Sequence, residues 1–353
     1  MAVYFIILFL SLLSVLAKEK QIKVFLSLSV LLSMFVLCGM RGQDVGQDTP
    51  AYFNVYKYGT SYEEPLFTLS TLLFRYLDLP FYAYTIFIAF LTYFFLYVHY
   101  RKTSENIAFS LLIFLTFSVN FFPQTFNVIR QYVAIVLIMC SLDFLLENKK
   151  GTALVFFISS MLFHYSAAII GVLMALCFLI RRIPFWIVLF SVLLSLIFGL
   201  TFQKGYGEYA SVISGFLMSS SNEQAEYYNR YFDNPMESNY NIIGTLANML
   251  PFSFFTLLLY TKENSRLVLY KFFFLCVLLS NTFFSILYVY RITMYGLFCI
   301  TTLLPNTINC TSTFKKKGLL ILTIFMVLWF IYVLFSNKED DLAGIMPYKF
   351  FFE

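Results

Sequence analysis

The sequence predicts an all-α polytopic membrane protein, on three observations. Of 353 residues, 60% are hydrophobic and only 12% charged, whereas a soluble globular chain carries about 25% charged residues, so the composition cannot cover a water-facing surface. The apolar residues fall into about a dozen runs of roughly 13–20, which suits membrane helices and excludes a barrel of short alternating strands. Mean hydropathy is +0.78. Lys and Arg sit in short clusters at the ends of these runs, the pattern that sets topology, so the net charge of +5 does not point to a nucleic-acid partner.

Taken in order, the runs predict about 12 transmembrane helices, at 3–17, 22–40, 81–99, 106–122, 128–146, 151–163, 166–180, 184–202, 242–260, 268–287, 292–309 and 318–335. The first run has no basic leader and no small-residue cleavage site, so it reads as a retained helix. The 30 residues from Gly151 to Ile180 are too long for one span. A split at His164 leaves Lys149/Lys150 and Arg181/Arg182 on one side. The stretch 65–79 is apolar enough to enter the membrane, but counting it as a crossing would reverse most later loops. With Arg75 and Asp78 in it, it reads as a re-entrant or interfacial helix. The whole of 1–353 is then one integral membrane domain, with two substantial loops, 41–64 and 203–241.

Placing Lys18, Lys20, Lys23, Arg101, Lys102, Lys149, Lys150, Arg181, Arg182, Lys262, Arg266, Lys271 and Lys315 to Lys317 on one side collects 15 of the 24 basic residues. That side is expected to be cytoplasmic. The opposite face holds 14 of the 19 acidic residues and both long loops. Six cysteines lie within or beside apolar runs, without close pairs or His neighbours, so neither a disulfide framework nor a metal site is expected. No phosphate-binding glycine loop or internal repeat is evident.

Ionisable residues inside spans are costly and therefore informative. Asn127, Arg130 and Gln131 are spaced to share one face of a helix, with Arg130 either a bidentate anion ligand or an arginine reaching for the interface. His164, between two short apolar runs, is a base, a phosphate donor or a structural hydrogen-bonder. His99, beside Arg101 and Lys102, reads as interfacial. Asn281, Ser285, Tyr288, Arg291 and Tyr295 follow steps of four, three, three and four, the spacing of one polar helix face. Asn241, Thr245 and Asn248 repeat the pattern in the preceding span. Asp48, Tyr52 and Tyr56 are spaced by four; Asp48 before Thr49 and Pro50 also suits a helix N-cap. Glu63 and Glu64 follow, so three carboxylates gather near the mouth of the bundle. Tyrosines crowd both long loops (Tyr52, Tyr56, Tyr58 and Tyr62, then Tyr206, Tyr209, Tyr227, Tyr228, Tyr231 and Tyr240), offering an apolar ring and a hydroxyl to sugars or forming an interfacial belt.

The order of motifs is more telling than any one of them. Gly46-x-Asp48-x-x-x-Tyr52, Glu64-Pro65, Arg130-Gln131, Phe163-His164-x-Ser166-Ala167, Arg291-x-x-x-Tyr295 and Pro347-Tyr348-Lys349-Phe350-Phe351 occur in sequence from Arg41 to Phe351. In this the chain resembles the EpsG family of Wzy-type polymerases of O-antigen, capsular and exopolysaccharides. The resemblance implies a multi-span architecture like that of lipid-dependent, GT-C-like glycosyltransferases, in the bacterial inner (cytoplasmic) membrane with the site facing outward. It implies an undecaprenyl-diphosphate-linked oligosaccharide as substrate, membrane lipid around it, no cofactor, and a chain-length regulator as a candidate partner.

On that resemblance, a polymerase must stabilise a departing lipid diphosphate and activate an acceptor hydroxyl. Arg130, Arg291 and Arg41 are the expected diphosphate ligands. Asp48, His164 and Glu64 compete as base. Tyr52, Gln131, Asn127, Tyr288, Tyr295 and Tyr348 are the expected substrate contacts, with Pro347-Tyr348 folding back over the site. A flippase of the same lipid-linked sugars and a polysaccharide ligase are the competing readings. The polar residues gather towards one half of the membrane and no repeat is seen, which favours an enzyme over a transporter.

Overall fold

The structure is a computed structural model that describes residues 1–59, 64–117, 121–218, 242–284, 286–336 and 344–353; of 202–218, 242–245, 247, 287, 288 and 336 it describes the backbone alone. It is 78% helical, with no strand among the described residues. The chain forms two compact units, Met1–Gly171 with Thr301–Ser312 and Leu320–Glu353, and Val172–Ile300 with Thr313–Leu319.

The first unit is built on α1 (Ala2–Leu16), α2 (Lys20–Gly39), α3 (Thr49–Tyr58), α4 (Pro65–Tyr76), α5 (Phe81–Thr103), α6 (Ile107–Thr116), α7 (Gln124–Asn127), α8 (Ile129–Leu146), α9 (Lys150–Phe163) and the start of α10 (Ser166–Leu179). The helix α8 is its axis, buried along most of its length and packed against α5 and α9. Because protein and not lipid surrounds α8, it can hold Gln131 near one end and Asp143 near the other. Serine and threonine hydroxyls satisfy themselves on nearby carbonyls: Thr92 donates to Ile88 and Thr116 to Leu112 within their helices. Ser141 and Ser160 instead cross from one helix to its neighbour, to the carbonyls of Ala153 and Ala134, joining α8 to α9 at two levels.

The second unit contains α11 (Phe185–Met218), α12 (Ile242–Leu258), α13 (Val268–Thr282), α14 (Leu287–Leu297) and the starts of α15 (Ile300–Thr307) and α16 (Thr313–Ser336). Its polar centre is Asn281, whose amide donates to Ser195 at 3.1 Å and Ser253 at 2.9 Å, tying α13 to α11 and α12. The helices α11 and α13 approach so closely that a Cβ on Gly199 would lie 2.0 Å from the Asn281 carbonyl oxygen. Lys271, counted among the cations of the expected cytoplasmic side, is buried and donates to the Ile180 carbonyl just beyond α10. That contact uses the ammonium to satisfy a helix-end acceptor.

By length and apolar content, four helices among the described residues qualify as full membrane spans: α2, α5, α8 and α16. The other expected spans contain shorter apolar helices of 10–17 residues, together with the longer α11 and the short pieces α14 and α15. The chain is a multi-pass, all-α membrane protein. The chain breaks at His164, between α9 and α10. The helix expected to end at 202 continues to Met218, since loss of hydropathy does not end a helix where no proline interrupts it. At 12 residues, α4 is roughly 18 Å long, short of a hydrocarbon core of about 30 Å.

Candidate active site

Three motifs far apart in sequence meet at one end of the first unit. Glu64 stands at the N-cap of α4, where Pro65 opens the helix. Arg130 lies in the first turn of α8, and His164 follows α9 with an extended backbone. Arg130 Nη1 donates to Glu64 Oε2 at 2.5 Å, and His164 Nδ1 meets Glu64 Oε1 at 2.8 Å. A carboxylate can only accept, so Nδ1 carries the proton and Nε2 is directed away from Glu64.

Both Glu64 oxygens are thus engaged. Burial pushes the Glu64 carboxyl up, but the His164 hydrogen bond and the neighbouring Arg130 guanidinium outweigh it and hold the group below the ordinary glutamate value. Side-chain exposure rises from 8% at Glu64 through 16% at Arg130 to 23% at His164. The carboxylate is the sealed member and the imidazole the accessible one. Tyr52 and Phe67 frame the guanidinium, with its carbon 6.0 Å and 5.6 Å from their ring centres.

A second polar group adjoins the same helix α3. Arg41 is buried; its Nε donates to Thr49 Oγ1 at 3.2 Å, its Nη1 to the Cys38 carbonyl, and its guanidinium lies 5.6 Å from the centre of the Phe126 ring. Gly46 makes the turn into α3 with φ of +95°; a Cβ there would also approach Thr49 Oγ1 at 2.9 Å and Asn127 Oδ1 at 3.0 Å. Glycine is therefore required both for its backbone and for the space. Beside it, Asn127 Oδ1 accepts the Asp48 N–H at 3.3 Å.

The C-terminal segment runs along this end of the unit. Gly42 N–H donates to the Lys349 carbonyl, Phe351 N–H to that of Met40, and Gly46 N–H to that of Gly344. Arg41 and Phe350 form an antiparallel bridge. Tyr348 donates to the Leu37 carbonyl at 3.0 Å and Tyr4 to that of Ile345 at 2.8 Å. The Tyr348 hydroxyl thus clamps the tail to the end of α2, a role the sequence does not signal.

Several sequence expectations change here. Asn127, Arg130 and Gln131 do not share one helix: α7 ends at Asn127 and Val128, with ψ of 54°, breaks the chain before α8. Asp48 precedes α3, but its side chain makes no capping hydrogen bond, and it forms no ion pair with any described residue. The polar stripe is likewise divided, with Asn281 on α13 and Tyr288, Arg291 and Tyr295 on α14; α13 ends at Thr282 in a turn at Phe283 and Phe284, and α14 begins at Leu287. Counting steps of three and four through a turn simulates a face that no helix presents. Arg291 is half-buried and Tyr295 buried, both in the second unit. Glu63, Ser285, Asn241 and the tyrosines at 62, 227, 228, 231 and 240 lie outside the described residues, as do the side chains of Thr245, Tyr206, Tyr209 and Tyr288.

At the opposite end of the unit, His99, expected at the membrane interface, is enclosed by protein. It is fully buried and its Nδ1 lies 2.8 Å from Asp143 Oδ2. The available signal was that two ionisable residues in separate apolar runs fall at the same expected depth.

The sequence model of the EpsG family matches residues 23–350, nearly the whole chain. No curated protein and no solved structure matches it.

Proposed function

The chain belongs to the EpsG family, that of Wzy-type, exopolysaccharide polymerase-like proteins, and from that premise we propose that it joins undecaprenyl-diphosphate-linked oligosaccharide repeat units into a surface polysaccharide. The observation that carries this reading is the Glu64 carboxylate bridging His164 and Arg130, which turns three separate motifs into one site. In this proposal the enzyme sits in the bacterial inner membrane with that end facing outward, crossing about twelve times.

In this reading the three competing bases take different roles. Glu64 has both oxygens occupied and acts as a positioning residue, holding the His164 tautomer and compensating Arg130. His164 is the base: its Nε2 accepts the proton of the acceptor hydroxyl. The hydroxyl oxygen then attacks the anomeric carbon of the donor, and the bond from that carbon to the diphosphate oxygen breaks, its electron pair leaving with the lipid diphosphate. Asp48, half-exposed and without an ion pair among the described residues, is the remaining candidate contact for sugar hydroxyls. Tyr52 offers a ring beside Arg130.

Deletion in the source strain and complementation with wild type or His164→Ala tests the reading by polysaccharide length on a gel. Wild type restores long chains, and His164→Ala leaves single repeat units on the surface. Long chains with His164→Ala overturn the assignment of the base. Complete loss of surface display would instead indicate a flippase.

A further inference from the structure

Arg41 and Arg130 carry the same charge but differ in what balances it. Arg130 is neutralised by Glu64. Arg41 is only 3% exposed, and no carboxylate among the described residues lies within ion-pair distance of it. Its polar neighbours are Thr49 Oγ1, the Cys38 carbonyl and, at 3.7 Å, Cys38 Sγ. Each of these is neutral as arranged: the Thr49 hydroxyl gives its proton to the Val45 carbonyl, and the Cys38 thiol gives its own to that of Thr125. The second terminal nitrogen, Nη2, is buried without a hydrogen-bond partner among the described residues.

A buried guanidinium with neutral neighbours and an unused donor is costly unless an anion completes it. We propose that Arg41 is an oxyanion site for a diphosphate or phosphate group, with Nη2 as the free donor and α3 as its support. Thr49 aligns the guanidinium, and one turn further along the same helix Tyr52 packs beside Arg130. The tail segment at 349–351 runs along the backbone of this loop, so the site lies where the C-terminal segment pairs with residues 40–42. Resting on the polymerase reading, this divides the two arginines: Arg41 receives the departing lipid diphosphate, whereas Arg130 is held by Glu64 in the base assembly.

The test uses full-length protein in lipid nanodiscs, with inorganic diphosphate and a short polyprenyl diphosphate as separate probes and Tm as the readout. A saturable rise of about 3 °C is expected in wild type with one or both probes. A rise with inorganic diphosphate identifies the free anion as sufficient. A rise with the polyprenyl form alone identifies a lipid headgroup. Arg41→Met is expected to abolish the rise and to leave the Tm without ligand unchanged or higher, because it removes an uncompensated buried charge. Arg130→Met is expected to keep the rise while lowering the Tm without ligand. No rise with either probe in wild type, a rise that survives Arg41→Met, or a fall in the ligand-free Tm of Arg41→Met overturns the proposal. None of these outcomes depends on chain length in cells, so the anion site and the polymerase reading fail or survive separately.

Discussion

The two ends of α8 carry the same chemical pair in opposite settings. At one end His164 meets Glu64 at 2.8 Å beside Arg130, with the imidazole partly exposed. At the other, His99 meets Asp143 at the same distance with both side chains sealed. The nearby Lys102 is committed to Glu147. A histidine–carboxylate pair is therefore not in itself a site. Access, and a cation that leaves the carboxylate charged while the imidazole remains free to exchange protons, separate a reactive pair from one that holds helices together.

The contrast can be broken by mutation. The largest effect is expected at the open end: His164→Ala should slow polymerisation about 10²–10⁴-fold, the usual worth of a positioned base, with little change in Tm. Glu64→Gln should also shorten chains. It should in addition shift the pH–rate profile, which separates loss of positioning from loss of fold. Assay of purified variants on lipid-linked repeat units checks both.

At the sealed end the order reverses. His99→Leu leaves Asp143 buried without its partner and should destabilise by about 3–5 kcal/mol, seen as a lower Tm. Activity per folded molecule should stay near wild type. A loss of turnover without a loss of stability would show that the two ends are not functionally distinct.

A smaller effect is expected from acid. Because the Glu64 carboxyl is held below its ordinary value of 4.5, its stabilising contribution is full above that value and is lost as pH falls through the lowered one. The Tm difference between wild type and Glu64→Gln should therefore shrink in acid, as a Tm series down to about pH 3.5 would show. The smallest effect is expected from Glu147→Gln at the exposed Lys102 pair, with no measurable change in Tm.

Much of the molecule could be read from residue order alone. Apolar runs and cation clusters predicted a helical membrane protein, and His164 was recognised as a break between two helices. Arg130 and His164 were singled out because ionisable groups in apolar surroundings are costly, and Glu64 as one of three carboxylates near the mouth of the bundle. Their partnership was not legible: Glu64 is 66 residues from Arg130 and 100 from His164, and periodicity relates only residues on one helix. The same limit explains the errors. The steps joining Asn127 to Arg130, and Asn281 to Arg291, are helical in sequence but interrupted in space by Val128 and by the turn at Phe283 and Phe284.

Composition and residue order, then, were enough to indicate a helical, multi-pass membrane protein and a short list of candidate groups, because each depends on local transfer energies and spacing. Only the tertiary structure decided which charges cancel. It paired Glu64 with Arg130, sealed His99 against Asp143 and left Arg41 buried among neutral groups of the described residues. Compensation of charge is a matter of distance between atoms brought together by folding, and no local property of the chain encodes it.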